Sequence, residues 1–321
     1  MDWTQLNDII KSSKNILIIS HINPDGDTLG SMCGLYSAIV DNFRKKSDML
    51  LMSKCPEKYS FLPYISNAKH VTEYDKSREY DLVINVDVAS ADRMFESAIL
   101  FNKAKYTINI DHHVTNEKYG DFNYVLSEAS SAGEVLYLMM KKMDWKISAK
   151  TAECLYTAIL TDTGSFRYNN TTANSFEIAG ALLKLGISPA DIAKHCYESN
   201  SKEHVLFQAN CLNNAIFSNN NKIAYIQVYK KDMERFNVAE DCTEGLTEQL
   251  RSISSVKVSF IVKQLSGNSS KISMRSNDVD IATVCAKFGG GGHKFAAGCL
   301  LKASVQEAAK KILEEVEKLG L

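Results

Sequence analysis

Four short runs of apolar residues in the first half of the chain restrict its fold more than any other feature of the sequence. Each run is nearly continuous in apolar residues, which is typical of strands covered on both faces in a parallel sheet with crossover helices. The runs are NILIIS (15–20), MLLMS (49–53), DLVINVDVA (81–89) and KYTINI (105–110). They predict an α/β fold with a mainly parallel sheet flanked by helices.

A second set of predicted strands lies in the last third of the chain. It consists of KIAYIQVY (222–229), VKVSFIVKQL (256–265) and KISMRS (271–276). With 321 residues, the chain exceeds the usual size of a single hydrophobic core. We therefore predict a first domain over 1–190, a helical linker over 191–215 and a smaller mixed α/β domain over 216–321.

Composition excludes several classes of protein. The formal net charge of -1 provides no basic field for binding long duplex nucleic acid. The amino-terminal segment has an acidic second residue and no apolar core of a secretory signal, and no apolar stretch reaches the roughly 20 residues that span a bilayer. Eight cysteines occur singly, as is typical of reduced thiols. We expect a cytoplasmic protein without membrane association.

Acidic and histidine residues follow the ends of three of the predicted strands, and another acidic residue ends a predicted helix. They are His21, Asp25 and Asp27 after the first run, Asp87 in the third, the triplet Asp111, His112 and His113 after the fourth, and Asp162 in TAILTDTG. Ligands of open α/β sheets bind outside the carboxyl ends of the strands. We therefore expect these side chains to converge on one site.

Such a concentration of carboxylates would be repulsive without cations. Oxygen ligands with some imidazole suit Mn²⁺ or Mg²⁺ better than a thiolate-seeking metal. A pair of ions about 3.5–4 Å apart, sharing a carboxylate and activating a water, explains six ligands better than one ion does, and it suits phosphate-ester hydrolysis. A single aspartate after a strand is as often a turn former or helix cap. The joint occurrence favours a metal site.

A run of four glycines lies in FGGGGHKFAAG (288–298). Such a run predicts a loop whose backbone approaches another group closely. Its N–H groups, with His293 and Lys294, could bind an anion, and Arg275 and Ser276 at the end of KISMRS could clamp a phosphate. The alternatives are a flexible linker for the glycines and an ordinary surface position for Arg275.

Taken together, HINPDGDTLGS, VDVASADR, DHHVTN, TAILTDTGSFRY, SMRS and GGGGHKFAAG resemble the ordered motifs of the DHH phosphoesterase superfamily with its DHH-associated carboxy-terminal domain. The length and the compact second domain are similar to the nano-RNase and pAp-phosphatase group rather than to the longer RecJ exonucleases. This resemblance implies a DHH fold with the active site in the cleft between the two domains.

The resemblance also implies roles for individual residues. One metal would be held by His21, Asp25 and Asp87, and the other by Asp27, Asp87, His112 and Asp162, with Asp87 bridging. His113 would face the scissile phosphate, and Asp111 would orient the motif from behind. The remainder of the nucleotide would contact Arg275, Ser276, Gly291, Gly292 and His293. The family's usual metal is Mn²⁺, with Mg²⁺ and Co²⁺ as alternatives. No role is assigned to Ser130 or Ser131.

The implied activity is manganese-dependent hydrolysis of short oligoribonucleotides (nano-RNA) to mononucleotides and removal of the 3′-phosphate of pAp. Alternative substrates are linear pApA from cyclic-di-AMP turnover, and inorganic polyphosphate or pyrophosphate. A nucleotide-binding sensor that has kept the fold is an alternative of another class. It predicts the loss of a metal ligand, whereas all six positions are present. A homodimer is compatible with each of these functions.

Overall fold

The structure is a computed structural model that describes residues 2–75 and 77–321, apart from the side chains of Glu240, Asp241 and His293. The chain divides into two compact units, Met1–Ser199 and Asn200–Leu321. The division falls within the stretch 191–215, for which we predicted a helical linker.

The first unit contains a six-stranded sheet in which every pair of neighbouring strands is parallel. Its strands are Ile16–Ile19 (β1), Asp48–Leu51 (β2), Ala68–His70 (β3), Leu82–Val86 (β4), Tyr106–Asp111 (β5) and Phe122–Val125 (β6). The order across the sheet is β3-β2-β1-β4-β5-β6. The four apolar runs form β1, β2, β4 and β5, which confirms the predicted parallel sheet.

Both faces of this sheet are buried under helices and connecting segments. The helices of the unit are Trp3–Ser12 (α1), Gly26–Phe43 (α2), Ala98–Lys103 (α3), Ala132–Lys142 (α4), Ala149–Asp162 (α5), Ala173–Leu183 (α6) and Pro189–Tyr197 (α7). Within β1, Ile16 and Ile18 pack into the core that includes α1, α2, α4 and α5, whereas Leu17 and Ile19 pack into the core beside α3. Burial of each such side chain contributes about 1.5–3 kcal/mol.

Close packing of α2 against α5 depends on glycines in α2. A Cβ atom at Gly30 would lie 2.5 Å from the Cys154 carbonyl oxygen, and one at Gly26 would lie 2.4 Å from Thr161 Oγ1. A side chain at Gly30 would displace the α5 backbone, and one at Gly26 would displace the Thr161 side chain. The contact brings the carboxyl end of α5 beside the amino end of α2.

The second unit contains a mixed six-stranded sheet. Its strands are Ile216–Ser218 (β7), Ile223–Val228 (β8), Val258–Gln264 (β9), Ser270–Ser276 (β10), Gly291–His293 (β11) and Ala296–Leu301 (β12). The order is β11-β12-β10-β9-β8-β7, and only β8 and β9 pair in parallel. Its helices are Lys202–Asn213 (α8), Lys230–Phe236 (α9), Leu246–Arg251 (α10), Ala282–Ala286 (α11) and Val305–Glu317 (α12).

The glycine run corrects one expectation. We predicted a loop, but Gly291 and Gly292 lie in β11 and pair with Gly298 and Ala297 of β12. The predicted close backbone approach is present, since a Cβ at Gly292, where φ is 138°, would lie 2.4 Å from the Ala296 carbonyl oxygen. Gly289, with a φ of 72°, ends the turn before the strand and Gly290 connects the two, so the run serves both a turn and the close packing of an edge strand.

Within residues 2–75 and 77–321, none of the helices is both long enough and apolar enough to cross a membrane.

Candidate metal centre

The segment between β1 and α2 carries the first three predicted ligands. Asp25 is the exposed N-cap of α2 and accepts a hydrogen bond from the Thr28 backbone N–H (3.0 Å), whereas Asp27 in the first turn is only 1% exposed. His21 Nδ1 lies 2.7 Å from the Ile22 carbonyl oxygen, to which it donates. This bond fixes the ring so that Nε2 points toward the acidic residues, the orientation in which histidine binds metals.

Asp87 follows β4 and lies at the centre of the site. Its backbone has a φ of 62°, a left-handed conformation that aspartate tolerates better than most residues. Oδ2 accepts a hydrogen bond from Thr28 Oγ1 (2.5 Å) and lies 3.4 Å from His21 Nε2. Oδ1 is buried and has no hydrogen-bond partner among the described residues. A buried carboxylate oxygen left in this way is costly unless a cation binds it.

His112 is surrounded by three carboxylates. Its Nε2 lies 3.6 Å from Asp27 Oδ2, 3.7 Å from Asp87 Oδ1 and 3.8 Å from Asp162 Oδ2, while Nδ1 lies 3.3 Å from the Ala129 carbonyl oxygen. The three carboxylate distances are too long for good hydrogen bonds. They match the roughly 3.0–4.2 Å that separates two donor atoms bound to one ion at about 2.1 Å each.

Asp27 is held by the amino end of α4. Its two oxygens accept the backbone N–H groups of Ala132 (2.8 Å) and Gly133 (3.0 Å), and Ser31 Oγ donates to Oδ1 (3.1 Å). The positive end of the helix dipole favours the ionised carboxylate at this position. Ser131, to which we assigned no role, is the N-cap of α4 and so helps to shape this support.

Sequence reasoning missed Asn170, which supports the last predicted ligand. Asp162 ends α5, and Asn170 Nδ2 donates to its Oδ2 (3.1 Å) and to the Ser130 carbonyl oxygen (2.9 Å). One amide therefore ties Asp162 to the segment that precedes α4. The motif TAILTDTGSFRY stops two residues before Asn170, so no motif signalled it.

The electrostatics of the site favour added positive charge. Burial, followed by the charges of Asp87, Asp162 and Asp25, raises the pKa of Asp27 well above its ordinary value. Burial together with neighbouring acids also raises the pKa of Asp162, to about 7. Burial would lower the pKa of His21, but the interaction with the adjacent Asp87 carboxylate outweighs burial and raises it. Protons are thus retained where divalent cations could replace them.

The predicted metal ligands form two compact sets. Within each set, one potential ligand atom per residue lies within 4.8 Å of the others; the sets are His21, Asp25 and Asp87, and Asp27, His112 and Asp162. Asp87 Oδ1 also approaches His112, so it lies between the sets. The oxygen and imidazole donors, together with the unpartnered Asp87 Oδ1, fit a pair of divalent cations.

His113 and Asp111 belong to a third such set with Asp87 and His112, and His113 Nδ1 lies 3.5 Å from Asp87 Oδ1. Asp111 is fully buried, and its Oδ1 accepts the His112 backbone N–H (2.8 Å) and His113 Nδ1–H (2.7 Å). Burial would lower the pKa of His113, but the hydrogen bond to Asp111 and the charge of Asp87 outweigh it and raise the pKa to about 9. Asp111 is therefore engaged in orienting the histidine.

The second unit carries the predicted nucleotide-binding residues. Arg275 in β10 and His293 in β11 both pair with Ala296 of the intervening β12, so their backbones occupy one row of the sheet. Arg275 Nε donates to Glu248 Oε1 (2.7 Å), a partner that sequence reasoning missed. Ser276 is buried and its hydroxyl donates to the Val279 carbonyl, so it shapes the turn after β10. The predicted role of the His293 side chain falls outside what the structure describes.

Comparison with known proteins agrees with this geometry. Residues 15–159 match the model of the DHH family, N-terminal domain, and residues 220–319 match the DHHA1 domain. The chain belongs to the DHH family and is a phosphoesterase of that family, which confirms the resemblance inferred from the motifs.

Individual relatives cover almost the whole chain. It is 32% identical to the probable bifunctional oligoribonuclease and PAP phosphatase NrnA of Streptococcus mutans over 90% of both chains. It is 30% identical to the bifunctional oligoribonuclease and PAP phosphatase NrnA of Bacillus subtilis over 98% of both chains. An exopolyphosphatase-related protein from Bacteroides fragilis has a similar structure, with a TM-score of 0.92, 27% identity and coverage of 98% of this chain and 95% of that one.

Proposed function

We propose that this chain is a two-metal phosphoesterase that hydrolyses short oligoribonucleotides to mononucleotides and removes the 3′-phosphate of pAp. The observation that carries the proposal is the position of Asp87, whose Oδ1 has no hydrogen-bond partner among the described residues and lies between two compact sets of acidic and histidine ligands. The names of the two NrnA relatives support the choice of substrates.

Each ion would have its own ligands and would share Asp87. His21 and Asp25 would complete one site, and Asp27, His112 and Asp162 the other. We infer Mn²⁺ because these donors are carboxylates and imidazoles without a thiolate, while Mg²⁺ and Co²⁺ are the alternatives. When bound, the pair of ions supplies Lewis acidity that polarises the phosphoryl group and lowers the pKa of water.

The residues around the ions would hold and polarise the phosphate. His113 donates its Nδ1–H to Asp111, so we propose that Nε2 donates to a non-bridging phosphate oxygen. The hydrogen bond to Asp111 favours the protonated imidazole, whose Nε2–H would place positive charge where the transition state gains negative charge. The Ala132 and Gly133 N–H groups hold the Asp27 carboxylate in one orientation and partly offset the effects that raise its pKa, so that a bound cation could replace its proton.

The second unit would bind the remainder of the nucleotide. Arg275 would contact phosphate, with Glu248 fixing the guanidinium through its Nε, and the N–H groups of Gly291 and Gly292 and the His293 side chain would complete the contact. The net charge of -1 supports a preference for short substrates, because it provides no extended electrostatic track for long RNA.

Two other substrate classes compete with this proposal. Linear pApA could be bound by the same ligands, and the exopolyphosphatase-related structural relative favours inorganic polyphosphate or pyrophosphate as a second candidate. A nucleotide sensor without activity is less consistent with a full set of six ligands. These alternatives differ in which substrates are hydrolysed and in whether metal is required.

A substrate panel tests the proposal. Purified protein is stripped with a chelator, reloaded with Mn²⁺, Mg²⁺ or Co²⁺, and assayed for kcat/KM on pAp, a ribodinucleotide, pApA, a longer RNA and pyrophosphate. The Asp27→Asn protein, purified identically, controls for contaminating nucleases. We expect metal-dependent turnover of pAp and the dinucleotide above that of longer RNA and pyrophosphate. A higher kcat/KM for pyrophosphate, or no turnover with any metal, would contradict the proposal.

A further inference from the structure

Asn116, which ends the motif DHHVTN, contacts the carboxylate that orients His113. Its Nδ2 donates to Asp111 Oδ2 at 2.6 Å, while Asp111 Oδ1 accepts His113 Nδ1–H at 2.7 Å. Asp111 Oδ1 is therefore shared between the imidazole and the His112 backbone N–H (2.8 Å), while Oδ2 is held by the Asn116 amide. Asp111 is fully buried, so an oxygen that lost its partner could not recover the bond from bulk water.

The direction of the Asn116 amide is fixed by its other contacts. Its Oδ1 accepts the Lys118 backbone N–H (2.7 Å), so Nδ2 is the atom that faces Asp111 and Asn109 Oδ1 (2.9 Å). Asn109 is buried and its own Nδ2 donates to the Val88 carbonyl oxygen (3.0 Å), which leaves its Oδ1 toward Asn116. Both amide orientations therefore follow from the hydrogen-bond network.

We propose that Asn116 is a positioning residue that acts through Asp111 on His113. By holding Asp111 Oδ2, the amide fixes the plane of the carboxylate and with it the His113 Nδ1–H bond, so that the imidazole keeps one orientation toward the phosphate. The inference rests on the proposed hydrolytic function. In this proposal, the hydrogen bonds from Asn116 through Asp111 to His113 align a contact with the transition state and do not bind metal.

Two substitutions remove the amide donor. Asn116→Asp keeps an oxygen for the Lys118 N–H but replaces the donor beside Asp111 with an acceptor, and Asn116→Ala removes both. We expect kcat to fall roughly 10- to 100-fold, with KM and Mn²⁺ affinity changed by less than about 2-fold. Asn123→Ala is the matched control, because that amide bonds the Gly120 backbone in the same region. A parallel loss of Mn²⁺ affinity in the Asn116 variants would overturn the inference.

A double-mutant cycle distinguishes positioning from a general structural role. If Asn116 acts through His113, adding Asn116→Asp to His113→Ala should lower kcat by less than about 2-fold. If the full factor persists without His113, the inference is wrong.

A second readout does not require activity. The His113 Nδ1–H proton, assigned by its loss in His113→Ala, should give a downfield ¹H NMR resonance that shifts or disappears in Asn116→Asp and stays unchanged in Asn123→Ala. An unchanged resonance in Asn116→Asp would contradict the inference. Failure of the proposed function is separate, since it would appear as an inactive wild-type protein.

Discussion

Replacing Asp87 by asparagine separates its role as a shared ligand from its role in the fold. Asparagine tolerates the left-handed backbone at this position, where φ is 62°, and its amide can keep the contact with Thr28 Oγ1. The charge that raises the pKa values of His21 and His113 is lost, so we expect a stability cost of about 1–3 kcal/mol. Asp87→Ala should cost about 1–2 kcal/mol more, because alanine is strained in this conformation.

The functional effects of the two variants should be similar. Both lose the ligand that lies between the two sets, so we expect kcat/KM on pAp to fall about 10³-fold or more and calorimetric titration to show fewer bound Mn²⁺ ions than the wild type. Denaturant unfolding of the metal-free proteins measures the difference in stability. If Asp87→Asn binds two Mn²⁺ ions and retains more than about a tenth of wild-type kcat/KM, the shared-ligand role is wrong.

Three further predictions follow from other parts of the structure. Glu248→Gln should raise the KM for pAp several-fold and Arg275→Ala should raise it more, whereas a lowered kcat at unchanged KM would contradict a role in binding. The metal-free protein should lose roughly 1–3 kcal/mol of stability as the pH rises through two windows. Between about pH 4 and pH 7 the buried Asp162, whose pKa is raised from 3.8 to about 7, must ionise, and between about pH 6.5 and pH 9 His113, whose pKa is raised from 6.5 to about 9, must lose its proton. Chemical denaturation that finds stability constant or rising from about pH 4 to pH 9 would refute the assignment. Gly133→Ala places a Cβ 2.4 Å from the Ala158 Cβ of α5, which should displace the Gly133 N–H that holds Asp27. Calorimetric titration should therefore show weakened Mn²⁺ binding. Wild-type Mn²⁺ affinity in this variant would show that the Gly133 N–H does not support the metal site.

The central strands could be predicted from sequence because burial on both faces leaves nearly continuous apolar runs. The edge strands could not. Ala68–His70 (β3) and Phe122–Val125 (β6) are partly exposed and carry mixed side chains, so no apolar run marks them. The strand in the second half of the glycine run was missed for a related reason: β11 contributes backbone pairing and close approach rather than side-chain burial, and sequence periodicity records only the side chains.

The candidate site was predictable only where its residues follow strand ends or match a motif. Such residues can be recognised from the sequence because parallel strands end at one edge of the sheet. The groups that support these residues cannot be recognised in this way. The Ala132 N–H that holds Asp27 lies 105 residues along the chain from it, and a backbone donor carries no sequence signature. Glu248 likewise reaches Arg275 across 27 residues through one ion pair, which only the folded structure brings together.

The most direct test of the two-metal centre is a crystal structure with Mn²⁺ that uses anomalous scattering at the manganese edge. The proposed function predicts two anomalous peaks about 3.5–4 Å apart. One should lie beside His21 and Asp25 and the other beside Asp27, His112 and Asp162, with Asp87 contacting both. A single peak, or two peaks that do not share Asp87, would contradict the proposed centre.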